Sequence, residues 1–125
     1  MEKFSFKKRA KSFVYAWQGM RSLVSREHNA WIHSFATVCV LIAGFAFQIT
    51  RIEWALVILC IGTVFAAEGF NTAIERMVDF VSPERHPQAG LIKDVAAGAV
   101  LFTAIAAAIV GLIVFVPYVR AFIGL

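Results

Sequence analysis

Apolar residues in this chain form long uninterrupted blocks rather than the alternating faces of a soluble domain. Three blocks, at roughly 31–49, 53–81 and 95–116, each reach or exceed the ~20 residues that a helix needs to cross ~30 Å of hydrocarbon. The short link between the first two blocks predicts a tight hairpin, whereas two prolines and a glycine in 82–92 predict a loop. The pattern therefore predicts an all-α integral membrane protein with a single domain over residues 1–125.

The segment ahead of the first block has a different pattern. Residues 4–26 place apolar side chains three or four positions apart and most of their lysines elsewhere, which predicts an amphipathic helix lying in the membrane interface. Seven of the twelve Lys and Arg residues lie within residues 1–30. Beside membrane spans, such a basic run favours anionic lipid over nucleic acid as its partner. Whether this helix is a plain anchor or part of a site stays open.

Composition and charge support a membrane location and predict an orientation. The chain is 60% hydrophobic and only 16% charged, whereas about a quarter of the residues in a soluble domain are charged. Ten of the twelve Lys and Arg residues fall in the N-terminal segment and in 76–93, and two fall on the opposite side. The positive-inside rule therefore predicts a multi-pass membrane protein with the N-terminus and the 82–92 loop in the cytoplasm and the C-terminus outside.

A polar stripe interrupts the second block at "AAEGFNTAIERMVD", residues 66–79. On a helix, Glu68, Asn71, Glu75 and Asp79 fall at about 0°, −60°, −20° and +20°, and therefore share one face. Counted from the start of the block, Glu68 lies about 22 Å and Glu75 about 33 Å along the helix. With a ~30 Å core, Glu68 is roughly 8 Å below the cytoplasmic surface and Glu75 is at that surface.

Other charged residues are predicted on the same side of the membrane, where ATP is available. Phosphoryl transfer needs carboxylates to hold Mg²⁺, cations to neutralise phosphates and a base for the attacking hydroxyl. Glu27 and Glu75 are candidate metal ligands, and the deeper Glu68 suits a base acting on a lipid alcohol. Lys93 could meet an ATP phosphate, and Asp94 could orient it or bind ribose.

The residue types leave other interpretations open. Glu68 also suits a proton relay or an ion pathway, and Asn71 also suits a hydrogen bond between helices. Asp79 is expected to complement Arg76 and is left outside the site. His28 and His33 are interpreted as structural or interfacial residues. The chain has no soluble-kinase motif, so the residues alone do not decide between a kinase and a relay.

The segments "EGFNTAIERMVD" (68–79), "KDVAAGAVL" (93–101) and "YAWQGMRSLVSREHN" (15–29) resemble the prokaryotic diacylglycerol kinase family. The resemblance covers almost the whole chain. It implies a homotrimer of three-span subunits, each with a surface helix, that uses ATP and Mg²⁺ at sites between subunits. By position, Glu68 resembles the catalytic base of that family. The implied metal ligands are Glu27 and Glu75. The implied ATP contacts are Tyr15, Glu27, Glu75, Glu84, His86, Lys93 and Asp94. The implied lipid-side residues are Trp17, Glu68 and Asn71.

The lipid acceptor is predicted from softer features. The family has a diacylglycerol branch and an undecaprenol branch, and "REHN", "IEW" and "AAGAV" resemble the undecaprenol branch. Ala16 also stands where the enterobacterial diacylglycerol enzymes carry Ser. A basic residue near the N-terminus belongs to the pattern, and Lys8 and Arg9 both fit it. The prediction is therefore an undecaprenol kinase, with a diacylglycerol kinase as the alternative and a small proton- or ion-conducting oligomer as the rival of another class.

Overall fold

A computed structural model describes residues 2–125, and over that range the protein consists of four α-helices. They are α1 (Phe6–Arg26), α2 (His28–Phe47), α3 (Arg51–Val81) and α4 (Pro87–Phe122). The last three helices are long and apolar enough to cross a membrane. The predicted all-helical architecture with three long apolar helices is therefore confirmed, with α1 as a separate helix ahead of them.

A single extended residue separates α1 from α2. The Ser5 hydroxyl caps the start of α1 by accepting from the Lys8 backbone N–H at 3.4 Å. The helix ends at Arg26, and Glu27 (φ −98°, ψ 122°) turns the chain directly into α2. Because no longer linker intervenes, the Glu27 side chain is held at the corner between the two helices.

The α2–α3 hairpin is tight, as its short link predicts. The Thr50 hydroxyl accepts from the Glu53 backbone N–H at 3.2 Å, and the Glu53 carboxylate accepts from the Thr50 N–H at 2.9 Å. This reciprocal capping box fixes the start of α3. Gly44 lets the two helices approach, because a Cβ atom there would lie 2.6 Å from the Trp54 ring.

The hairpin end of the molecule is closed by apolar packing. Its core forms around three buried residues: Ile49, Val57 and Val114. The Phe47 ring stacks on Tyr118 of α4 with centroids 5.8 Å apart, and the Tyr118 hydroxyl donates to the Glu53 carboxylate. These contacts attach α4 to the hairpin, and α3 and α4 form the main helix–helix contact of the chain.

The loop between α3 and α4 is shorter than predicted. Only 82–86 lie outside helices, rather than 82–92, because α4 begins at Pro87. A proline at the first helical position lacks an N–H that would have no helical partner there, so it is compatible with the helix start. The His86 Nδ1 atom accepts from the Gln88 N–H at 3.1 Å and caps the helix. The early start adds about two turns of α4 beside the end of α3.

Most of the apolar surface of the three long helices faces outward. In the most apolar 18-residue stretch of each helix, only 17% of the residues of α3 and 6% of those of α4 are buried within the chain. Exposed apolar area on this scale is unstable in water and requires lipid or another protein surface to cover it. The fold is therefore that of a membrane protein.

Candidate active site

The most deeply buried polar side chain of α3 is acidic. Glu68 is 2% exposed, and Asn71 and Thr72 on the next turn are also buried. A carboxylate in apolar surroundings is destabilising unless it has a partner or a function. Its burial marks this part of α3 as a candidate site.

Glu68 lines a cavity of about 250 Å³ between α2, α3 and α4. Asn29, Ile32 and His33 of α2 face it, together with Glu68 and Asn71 of α3. The wall formed by α4 consists of small or apolar residues: Ala97, Val100, Leu101 and Ala104. The polar groups of the cavity therefore come from the α2–α3 hairpin.

His33 faces the Glu68 carboxylate, with its Nε2 atom 3.6 Å from Glu68 Oε2. This contact is not predicted from the sequence, where His33 is interpreted as a structural or interfacial residue. The signal lies in the hairpin register. His33 is 17 residues before Thr50 and Glu68 is 18 residues after it, so the two arms bring these residues to the same level.

Two buried oxygens of this cluster have no hydrogen-bond partner within residues 2–125: Glu68 Oε2 and Asn71 Oδ1. The Asn71 Nδ2 atom donates to Glu75 Oε1 at 3.5 Å, the limit of a hydrogen bond. A buried acceptor without a donor destabilises a fold by about 1–3 kcal/mol. Both oxygens are therefore placed to accept a hydrogen bond from a ligand, such as a hydroxyl group.

Two ion pairs lie beyond this cluster, toward the end of α3. Arg76 Nη2 is 3.1 Å from Glu27 Oε1, and Asp79 pairs with Lys93 of α4. The expected Asp79–Arg76 pairing is therefore wrong, because the early start of α4 brings Lys93 to Asp79 and the α1–α2 corner brings Glu27 to Arg76. Since Arg76 follows Glu75 in the chain, its pair with Glu27 holds that carboxylate near the turn of α3 that carries Glu75.

The donor types suit a magnesium ion that arrives with phosphates. Within the described range, no three His, Cys, Asp or Glu side chains form a group that could hold a metal by themselves. Mg²⁺ typically takes one or two protein carboxylates and completes its shell with phosphates and waters. Glu27 and Glu75 could supply that pair, once Glu27 has left Arg76.

The other predicted site residues do not line the Glu68 cavity. Tyr15 and Trp17 are exposed on α1. Glu84 and His86 are exposed in the 82–86 loop, where His86 caps α4, and Asp94 is exposed on the first turns of α4. One chain therefore brings Glu68 and Asn71 together and leaves these residues, predicted to contact nucleotide or lipid, apart from them.

An apolar groove of about 760 Å³ lies between α1 and α3, and its lining residues differ from those of the Glu68 cavity. Its walls carry small and apolar side chains, including Gly19 and Leu23 of α1 and Phe65 and Gly69 of α3, and Arg76 lies at one end. Small residues on both walls leave room for a chain-like apolar ligand.

Most of the chain matches one known protein family. Residues 14–115 match the family described as prokaryotic diacylglycerol kinase, a range that includes Glu27, Glu68, Glu75 and Lys93. The chain belongs to this family of lipid kinases.

Individual relatives carry two different names. The chain is 43% identical over 107 residues to the undecaprenol kinase of Bacillus subtilis (strain 168), an alignment that covers 86% of this chain and 87% of that protein. It is 42% identical over 101 residues to a diacylglycerol kinase of Synechocystis sp., covering 80% of this chain and 58% of that protein. It is 36% identical over 103 residues to the diacylglycerol kinase of Haemophilus influenzae, covering 82% and 84%.

Proposed function

We propose that this protein transfers the γ-phosphate of ATP to the hydroxyl group of a membrane lipid alcohol. The observation that carries the proposal is the Glu68 carboxylate, which is 2% exposed, lines a cavity and has one oxygen without a donor. A lipid hydroxyl entering the cavity would donate to that oxygen, and Glu68 would then act as its general base. Membership of a lipid kinase family supports this type of reaction.

Undecaprenol is the acceptor we favour, and diacylglycerol is the alternative. The Bacillus subtilis relative is named undecaprenol kinase and is aligned over most of both chains. The groove between α1 and α3 has mainly apolar and small side chains on its walls, which suits a long isoprenoid chain. In this proposal Asn71 binds the acceptor hydroxyl beside Glu68, and Trp17 borders the lipid approach.

ATP and Mg²⁺ are the other substrates of the proposed reaction. Glu27 and Glu75 would hold the ion on the nucleotide phosphates, and Lys93 would neutralise phosphate charge. Both Glu27 and Lys93 are engaged in ion pairs, so nucleotide binding would exchange those pairs for contacts to metal and phosphate. The further nucleotide contacts in this proposal are Tyr15, Glu84, His86 and Asp94.

We infer that the working assembly is a homotrimer in the bacterial inner membrane. The largely uncovered surface of α4, with small residues such as Gly98, suits packing against other copies of the chain. The exposed Tyr15 and Trp17 do not reach Glu68 in one chain, which suits a site shared with a neighbouring subunit. The Lys and Arg distribution supports a cytoplasmic N-terminus and 82–86 loop, with the C-terminus outside.

The test is a side-by-side rate measurement with purified protein in lipid nanodiscs. We expect ADP release that requires both Mg²⁺ and a lipid alcohol and that is faster with undecaprenol than with diacylglycerol. Faster turnover of diacylglycerol would overturn the acceptor assignment. If no ADP is released with either lipid, the kinase proposal fails, and proton or ion flux through vesicles containing the protein would then support the relay.

A further inference from the structure

We propose that His33 is the proton partner of Glu68, and that its neutral imidazole receives the proton that Glu68 takes from the acceptor hydroxyl. This inference rests on the proposed function, because it concerns how the same base works. His33 acts through Glu68, so its role is that of a positioning residue. It would explain how a buried carboxylate can serve as a base repeatedly.

The geometry places the two groups as a pair. His33 Nε2 lies 3.6 Å from Glu68 Oε2, the same oxygen that has no hydrogen-bond partner within residues 2–125. This distance is within ion-pair range and slightly too long for a hydrogen bond, so a small side-chain shift would complete one. The Phe65 ring stands edge-on to the imidazole with centroids 6.4 Å apart, which restricts the orientation of the imidazole.

The two side chains differ in their exposure at the surface of the chain. Glu68 is 2% exposed, whereas the His33 side chain is 21% exposed. The carboxylate is therefore enclosed, while the imidazole faces both the carboxylate and a second cavity of about 260 Å³. Histidine suits proton transfer in this position because its two ring nitrogens can receive a proton on one side and release one on the other.

Among residues 2–125, Glu68 is the carboxylate within ion-pair distance of His33. It comes from α3, and the Cys60 thiol of the same helix shares the second cavity, of about 260 Å³, with the imidazole. On the α4 side, the residues that line the two cavities are apolar, with Ala104 common to both. Residues of α1 do not line either cavity. The imidazole is thus placed to accept a proton from a carboxyl group in an apolar setting, where an isolated charge is strongly disfavoured.

The proposed proton path balances with phosphoryl transfer. The acceptor O–H gives its proton to Glu68 as its oxygen bonds to the γ-phosphorus, and the bond from that phosphorus to the bridging oxygen breaks so that ADP leaves with the electron pair. The protonated Glu68 then passes its proton to the unprotonated Nε2 atom of neutral His33. The imidazolium releases a proton to water and returns to the neutral tautomer with Nε2 free, so that both groups are ready for the next acceptor.

A set of histidine variants tests this role by kinetics. In His33→Gln and His33→Ala we expect kcat to fall about 10- to 100-fold while KM for ATP and for the lipid changes less than about twofold. Added imidazole should restore His33→Ala in proportion to the neutral imidazole present, and should not restore Glu68→Gln. His28→Gln is the matched control, because His28 is exposed on the same helix and packs against Trp31 instead.

Unchanged kcat in His33→Gln, or a loss confined to KM, would overturn the proposal. Because glutamine has no titratable group, full activity of His33→Gln would assign His33 to packing alone. A loss in His33→Ala that imidazole does not rescue would likewise contradict a proton-transfer role, provided that His33→Gln retains wild-type helicity and solubility.

Infrared difference spectroscopy gives a readout that does not depend on catalysis. Bands of Glu68 are identified by comparing the wild-type protein with Glu68→Gln at neutral pH. We expect the carboxylate band in the wild type and the carboxylic-acid band in His33→Gln, because a proton on Glu68 then has no acceptor. Identical Glu68 bands in the two proteins would overturn the proposal. If the wild type phosphorylates no lipid, the proposed function fails, and the infrared comparison still decides whether the two residues share a proton.

Discussion

Glu53 and Glu68 lie fifteen residues apart on α3, and their carboxylates have opposite surroundings. The Glu53 carboxylate accepts from the Thr50 N–H at 2.9 Å and from the Tyr118 hydroxyl. Glu68 keeps one oxygen without a hydrogen bond and has His33 at 3.6 Å. The acceptor capacity of the first carboxylate is used by the fold, and that of the second is left for a ligand. The same residue type therefore serves structure at one end of the helix and, in our proposal, chemistry at the other.

The two ends of the molecule show the same contrast, between contacts that stabilise the fold and contacts that can exchange with a ligand. The hairpin end combines a capping box, a buried apolar cluster and a stacked Phe47–Tyr118 pair. At the other end, polar groups are joined by ion pairs with partly exposed partners, such as Arg76 with Glu27. Exposed ion pairs contribute little to stability and exchange readily, which is the property that a binding site for charged substrates needs.

The largest expected effect separates the two glutamates directly. Glu68→Gln should lower kcat by about 10³-fold or more, because the amide cannot accept the hydroxyl proton, while ATP binding stays close to wild type. Glu53→Gln, the matched control, should keep kcat within about threefold, since an amide oxygen can still accept from Thr50 and Tyr118. ADP release and nucleotide titration measure the two quantities. Equal losses in both variants would show that the two ends do not differ in function.

Glu75→Ala should weaken the binding of Mg²⁺–ATP and leave the proposed general base, Glu68, in place. We expect the Kd for Mg²⁺–ATP to rise about tenfold or more, because one of two proposed carboxylate ligands is lost. Titration of Mg²⁺–ATP by calorimetry measures this change, with Glu53→Gln again as the control on the same helix. An unchanged titration curve would remove the metal role from Glu75 and restrict the site to the Glu68 cavity.

Gly44→Ala should damage the hairpin end without touching the chemistry. A Cβ atom at Gly44 would lie 2.6 Å from the Trp54 ring, so the helices must separate or the ring must move. Overpacking of this kind destabilises by about 1–3 kcal/mol. We expect a lower thermal midpoint by circular dichroism and unchanged activity per folded molecule. Gly90→Ala is the control, since a Cβ atom there meets nothing within 4 Å, and an equal loss in both variants would contradict the packing argument.

The sequence predicts the helices better than it predicts the contacts between them. Length and hydropathy are local properties, so the three long apolar helices follow from the apolar blocks. The loop boundary fails at Pro87, because a proline fits the first turn of a helix as well as a loop. The predicted pairing of Asp79 with Arg76 rests only on their closeness in the sequence, whereas the observed partner, Lys93, comes from the next helix. The contact between His33 and Glu68 can be predicted only when the hairpin register is used to align α2 with α3.

The smallest expected effect concerns the ion pair at the end of α3. In Arg76→Ala, Glu27 loses its cation, and we expect the Mg²⁺ concentration for half-maximal activity to fall about two- to fivefold, since an exposed pair is worth at most about 1 kcal/mol. The Arg76 side chain is 58% exposed, so its removal leaves no buried gap. Arg85→Ala in the 82–86 loop is the matched control for the loss of one positive charge. A higher Mg²⁺ requirement in Arg76→Ala would contradict this expectation. It would mean that Arg76 separates from Glu27 in order to contact the nucleotide phosphate itself.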